Sequence, residues 1–199
     1  MRLFRWIRRV VLLVVLAAFV YLVVSSVQVV AASRTTLSAE HADKAAAVVV
    51  IGTSPGSDFT LRCEDAVTVV RAGRAPEAIT TGAGSSGGTS EAVLMARCLR
   101  SHDIKHVTTV PISSIPAQLA WVAHHLGGSS GRHVILVADP LQTKWLEELA
   151  ASEGLRAQVV AVPAPKGSFF DDIGTIWGQS VALALGRVVG FSHTGWIGG

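Results

Sequence analysis

The residues that could do chemistry in this chain are mostly serines and glycines, with few cysteines and scattered histidines. Gly84-Ser85-Ser86-Gly87-Gly88 and Gly127-Gly128-Ser129-Ser130-Gly131 both match G-x-S-x-G, the sharp turn that holds a nucleophilic serine beside a histidine. The second run falls between a helix and a strand, at the wrong end of a parallel sheet. The first follows a strand, yet its glycine richness makes the match cheap, and neither His133 nor His193 falls on the same rim. The pattern therefore does not carry a serine hydrolase. His102 and His106 straddle a helix end, and the adjacent His124 and His125 point in different directions on a helix. No cysteine or carboxylate completes either pair at ligand spacing, so no metal site is expected. The fingerprint G-x-G-x-x-G is absent after the first strand, and no cofactor is assigned.

Cys63 and Cys98 are the only cysteines. Both fall on neighbouring helices, where they could pair or serve as small buried apolar side chains. Helix faces rarely bring Cα atoms within the roughly 4.4–6.8 Å that a disulfide needs, which favours unpaired, buried thiols.

The elements that would position a site alternate regularly. Ala45–Ile51 is an apolar run ending at Gly52, as expected for a strand buried on both faces. A helix capped at Asp58 or Thr60 reaches Ala72 before Gly73 and Pro76. Strands follow at Ala78–Thr81, His106–Val110, His133–Ala138 and Gln158–Val162, separated by helices opening at Thr89 or Ser90, at Ile115 and at Asp139-Pro140. A final apolar helix spans Asp171–Val189. This order predicts an α/β, Rossmann-like, doubly wound and mainly parallel five-stranded sheet. In such a sheet ligands bind beyond the carboxyl ends of the strands. Here that rim comprises Gly52–Asp58, Gly82–Glu91, Pro111–Ser114, Asp139–Lys144 and Pro163–Lys166. Helix N-termini at this rim favour an anion, so an anionic or phosphate-bearing ligand is expected there.

Arg2, Arg5, Arg8 and Arg9 precede an uncharged run from Val10 to Ala32. As a helix this run reaches roughly 35 Å, enough for a hydrocarbon core of about 30 Å. The basic flank (residues 1–9) stays cytoplasmic by the positive-inside rule, which makes residues 10–32 a single plasma-membrane span. The span exceeds a signal-peptide core of roughly 7–15 residues, although Val30-Ala31-Ala32 loosely fits a cleavage site. The expected organisation continues with a linker at 33–44, an extracytoplasmic domain at 45–191 and a tail at 192–199. Ile173–Phe191 is also apolar, but Gln179, Arg187 and its glycines suit packing on the sheet better than a second span. The chain has 17 basic and 14 acidic side chains, and removing residues 1–32 leaves 13 against 14. The net charge of +3 thus belongs to the anchor, and no nucleic-acid function is expected.

Ala47 to Ala92 resembles the SanA/YdcF-like (DUF218-type) family of bacterial envelope proteins. The resemblance rests on the apolar strand ending at Gly52, on Leu61-Arg62 with Asp65-Ala66, and on Arg71 through Pro76. It continues with Thr81-Gly82 and with Ser90-Glu91-Ala92 opening the second helix. It extends over roughly 45–190, fading toward the end, and implies an outward-facing Rossmann-like domain in cell-envelope or peptidoglycan physiology. It also implies that Arg62, Ser90 and Glu91 line a pocket. Arginine could clamp a phosphate and glutamate could act as a base, or the two could form a structural ion pair. Gln142 and Trp145 stand where relatives often carry histidine and arginine, which removes the best acid–base candidate. The expected site is therefore Gly52, Arg62, Gly82, Ser90, Glu91 and Asp139. It binds without turnover or, alternatively, works as a transferase or hydrolase with Glu91 as the catalytic group. A non-catalytic interaction module using the last helix is the third reading.

Overall fold

The computed structural model describes residues 2–35, 37–52, 57–83, 88–127, 132–162 and 169–191, with side chains described from Trp6 onward except at 57 and 169–173. Helix α1 (Arg2–Arg34) leads into a domain of five strands, β1 (Ala47–Val50), β2 (Ala78–Thr81), β3 (Val107–Val110), β4 (Arg132–Ala138) and β5 (Leu155–Ala161). Helices α2 (Ser57–Arg71), α3 (Glu91–Ser101), α4 (Ile115–His125), α5 (Thr143–Ser152) and α6 (Phe169–Val189) complete it. The strands are all parallel in the order β3-β2-β1-β4-β5. The chain therefore winds outward from β1 to β3 and then returns across β1 to β4. That reversal opens a crevice between the carboxyl ends of β1 and β4.

The strands read as unbroken apolar runs because both faces are covered. Val48, Val50, Ile135 and Val137 point into a layer with α2 and α3, represented by Ala66, Met95 and Leu99. Val49, Ile51, Leu136 and Ala138 alternate onto the other face, among Leu119, Trp145, Leu149 and Leu183. Period-two alternation thus sorts one string of valines between two cores.

Three expectations are revised. The Asp139-Pro140 start does not open an α-helix directly. Asp139 caps a 3-10 turn over Pro140–Gln142, and α5 begins at Thr143. The linker at 33–44 is also packed rather than a free spacer. Leu37 makes a parallel bridge to Val160, Ala39 and Ala42 are buried, and the Asp43 N–H donates to Gln158 Oε1 at 2.9 Å. Upstream of it, Val29 of α1 lies at 0% exposure in the core of the α4–α6 face. The last turns of the apolar helix therefore pack as part of the domain, against α5 and α6.

The third revision concerns the cysteines. Cys63 of α2 and Cys98 of α3 form a disulfide across a Cα–Cα distance of 6.4 Å. Cys63 is fully buried, and α2 and α3 pack side by side on the same face of the sheet. These two adjacent, contacting helices thus bring the thiols within reach.

Candidate functional site

Three loops converge on the crevice at the strand ends. Following β1, Arg62 sits one turn inside α2 with its guanidinium turned back under the strand end, where Nη1 donates to the Ile51 carbonyl at 3.0 Å. The side chain is buried at 5% exposure, and its Nε has no partner among the described residues. Burial pushes the guanidinium pKa down, while the nearby charges of Asp139, Asp58 and Glu91 act to raise it. The sequence-predicted Arg62, Glu91 and Asp139, each following a different strand, are thus brought into one electrostatic group.

Following β2, Gly82 turns the chain at φ +126° into the segment before α3. A Cβ at Gly52 would lie 2.6 Å from Gly82 Cα, 2.7 Å from the Thr81 carbonyl oxygen and 2.8 Å from Glu91 Oε2. A Cβ at Gly82 would likewise meet Glu91 Oε2 at 2.8 Å. Both glycines are therefore needed for backbone closeness and to seat the Glu91 carboxylate over the ends of β1 and β2. Burial raises the Glu91 pKa, and the charge of Arg62 acts against that.

Ser90 has a structural assignment. It is the N-cap of α3, accepting from the Val93 N–H at 3.3 Å. Asp139 is likewise a cap, with Oδ1 accepting from the Leu141 N–H at 2.8 Å, and its charge is what reaches Arg62. Trp145 is fully buried in the core and belongs to packing. Residues 53–56, 84–87, 128–131 and 163–168, which take in both G-x-S-x-G runs except Gly88 and Gly127, lie outside the described residues.

Two participants were not predicted as site residues. Asp58 adds a third carboxylate beside Arg62. Gln118 is 2% exposed; its Oε1 accepts from Thr81 Oγ1 at 2.7 Å, and its Nε2 donates to the Ile112 carbonyl at 2.7 Å. Thr81 Oγ1 also lies 3.0 Å from the Val50 carbonyl. This chain of contacts ties the ends of β1, β2 and β3 together beneath the rim. A polar residue at an otherwise apolar position of α4 was the signal available in the sequence.

Elsewhere among the described residues, one set of atoms has metal-ligand proximity: Cys63, Cys98 and His102. The two sulfurs are already joined, and His102 Nδ1 lies 2.9 Å from the Cys98 carbonyl, so this group offers no thiolate pair. Compared with protein families, with curated proteins and with solved structures, the chain matches none.

Proposed function

We propose that this protein is a membrane-anchored binding protein whose Rossmann-like domain, held outside the plasma membrane, takes a phosphorylated, hydroxyl-rich ligand at the crevice between β1 and β4. The observation that carries this reading is the clustering of Arg62 with Asp58, Glu91 and Asp139 at the topological switch point. One guanidinium among three carboxylates is a poor match for a bare anion. It suits a molecule that presents a phosphate to Arg62 and the α2 N-terminus while its hydroxyls donate to the carboxylates. A sugar phosphate or a lipid-linked sugar intermediate has this chemistry. The resemblance to SanA/YdcF-like envelope proteins and the N-terminal helix both support an envelope setting. That helix is long and apolar enough to cross a membrane.

The test is a thermal-shift comparison of sugar phosphates with inorganic phosphate on the full chain in detergent. A ligand at a hundredfold excess over its Kd stabilises by about 2.7 kcal/mol. Sugar phosphates are expected to shift the midpoint, inorganic phosphate much less, and Arg62→Ala to abolish the shift. Equal shifts in wild type and Arg62→Ala would overturn the assignment.

One observation favours a catalytic second reading. The raised pKa of Glu91 moves it toward the range useful to a general acid or base. Turnover that is lost in Glu91→Gln while ligand shifts persist would convert the binding protein into a transferase or hydrolase.

A further inference from the structure

The apolar run of α1 is divided between two environments. Trp6 to Tyr21 are all exposed, and shielding by the domain begins at Leu22. Beyond that point the helix has two faces. Ser25 and Val29 are fully buried against the domain, whereas Val23, Val24 and Val27 remain 46–63% exposed.

On the side turned toward the domain, this division leaves too little free helix to fill a bilayer. From Val10, the first position after Arg9, to Tyr21 the helix rises about 18 Å, and from Trp6 it rises about 24 Å, against a hydrocarbon core of about 30 Å. The shortfall of roughly 6–12 Å must be met by apolar surface beside α1 or by thinning of the membrane. Helix α6 lies alongside α1, and its Arg187 sits against Tyr21. Flanking that arginine, Leu185, Val188 and Val189 are 38%, 73% and 55% exposed, an apolar strip that the described residues leave uncovered.

The geometry points to the last turns of α6 as a collar that enters the outer leaflet beside α1, with the bilayer as the occupant of its exposed strip. This inference rests on the reading that α1 spans a membrane. The collar supplies the thickness that the free part of α1 lacks, at a depth typical of interfacial helices. Arg187 is held by Glu148, with Nε donating to Oε2 at 2.8 Å, and Lys144 lies 3.4 Å from the same carboxylate. This paired, charged group then marks the headgroup level on the domain side, where such side chains are favoured.

The experiment uses the full chain in vesicles of phosphatidylethanolamine and phosphatidylglycerol, without reductant so that the native disulfide stays closed. Spin labels are placed singly through Val188→Cys, Val189→Cys, Val15→Cys and Arg100→Cys, and relaxation by oxygen is compared with relaxation by an aqueous nickel chelate. Labels at V188C and V189C are expected to favour oxygen several-fold over the R100C label, in the same sense as V15C. If V15C favours oxygen while V188C and V189C respond to nickel like R100C, the collar is overturned and the anchor stands. If V15C also responds to nickel, the membrane reading itself fails. Labels at 188 and 189 shielded from both reagents would mean a protein covers the strip, which also overturns the proposal.

Discussion

Glu91 closes over Gly52 so tightly that a single methyl group at that glycine would sit 2.8 Å from the carboxylate oxygen. The contact joins the first turn of α3 to the end of β1, two segments that follow different strands. It also explains why the chain leaves β1 and β2 through glycine.

Gly52→Ala is expected to destabilise the domain by about 1–3 kcal/mol, as overpacking of backbone against backbone does. Gly82 Cα and the Thr81 carbonyl are both in the way, and neither can rotate aside. Denaturation of the full chain in detergent would read this directly. A loss below the scatter of the measurement would mean that β1 and β2 separate at their ends.

Glu91 carries a raised pKa because burial disfavours its charge more than Arg62 favours it. A carboxyl whose folded pKa is raised contributes stability below its unfolded pKa and loses it as pH climbs through the folded value. Glu91→Gln is therefore expected to raise the melting temperature at neutral pH. The gain should shrink toward pH 4, where the wild-type carboxyl is protonated. Melting curves across that range test the sign.

Glu148 behaves in the opposite way. Burial acts to raise its pKa, but the hydrogen bond and charge of Arg187, together with Lys144, bring it below the usual value. Its contribution is present above the unfolded pKa and fades as pH falls through the folded one. Glu148→Gln should cost roughly 1 kcal/mol at neutral pH, in keeping with a partly exposed pair. That penalty should diminish in acid.

The Cys63–Cys98 bridge spans a sequence separation of 35. Closing a loop of that size stabilises by about 4 kcal/mol on the chain-entropy account. Reduction, or the double change Cys63→Ala with Cys98→Ala, should lower the denaturation midpoint correspondingly. A bridge of this kind also suits an oxidising compartment. Recovery of free thiols from protein isolated under thiol-blocking conditions would show the pair open.

Much of this architecture could be read from the residues. The β2 limits Ala78–Thr81 and the Ser90 cap of α3 follow the sequence closely, because turn chemistry and apolar runs are local signals. Arg62, Glu91 and Asp139 could be placed on one rim because parallel topology sends every strand end the same way. What escaped depended on distances between elements. The disulfide needed α2 and α3 to lie side by side, and the Thr81–Gln118 contact needed Gln118 of α4 to reach the end of β2. The start of β5 at Leu155 was also missed, since its first residues alternate in burial and include the exposed Arg156.

Val29 belongs to the helix that precedes the domain, yet it is fully enclosed in the domain's interior. A recombinant fragment starting at the Ser33–Lys44 segment would lack that side chain and leave raw hydrocarbon where the helix had lain. Such a fragment is expected to aggregate. During synthesis, the first helix emerges ahead of everything that later folds onto it. Its last turns are then already present for α5 and α6 to pack against.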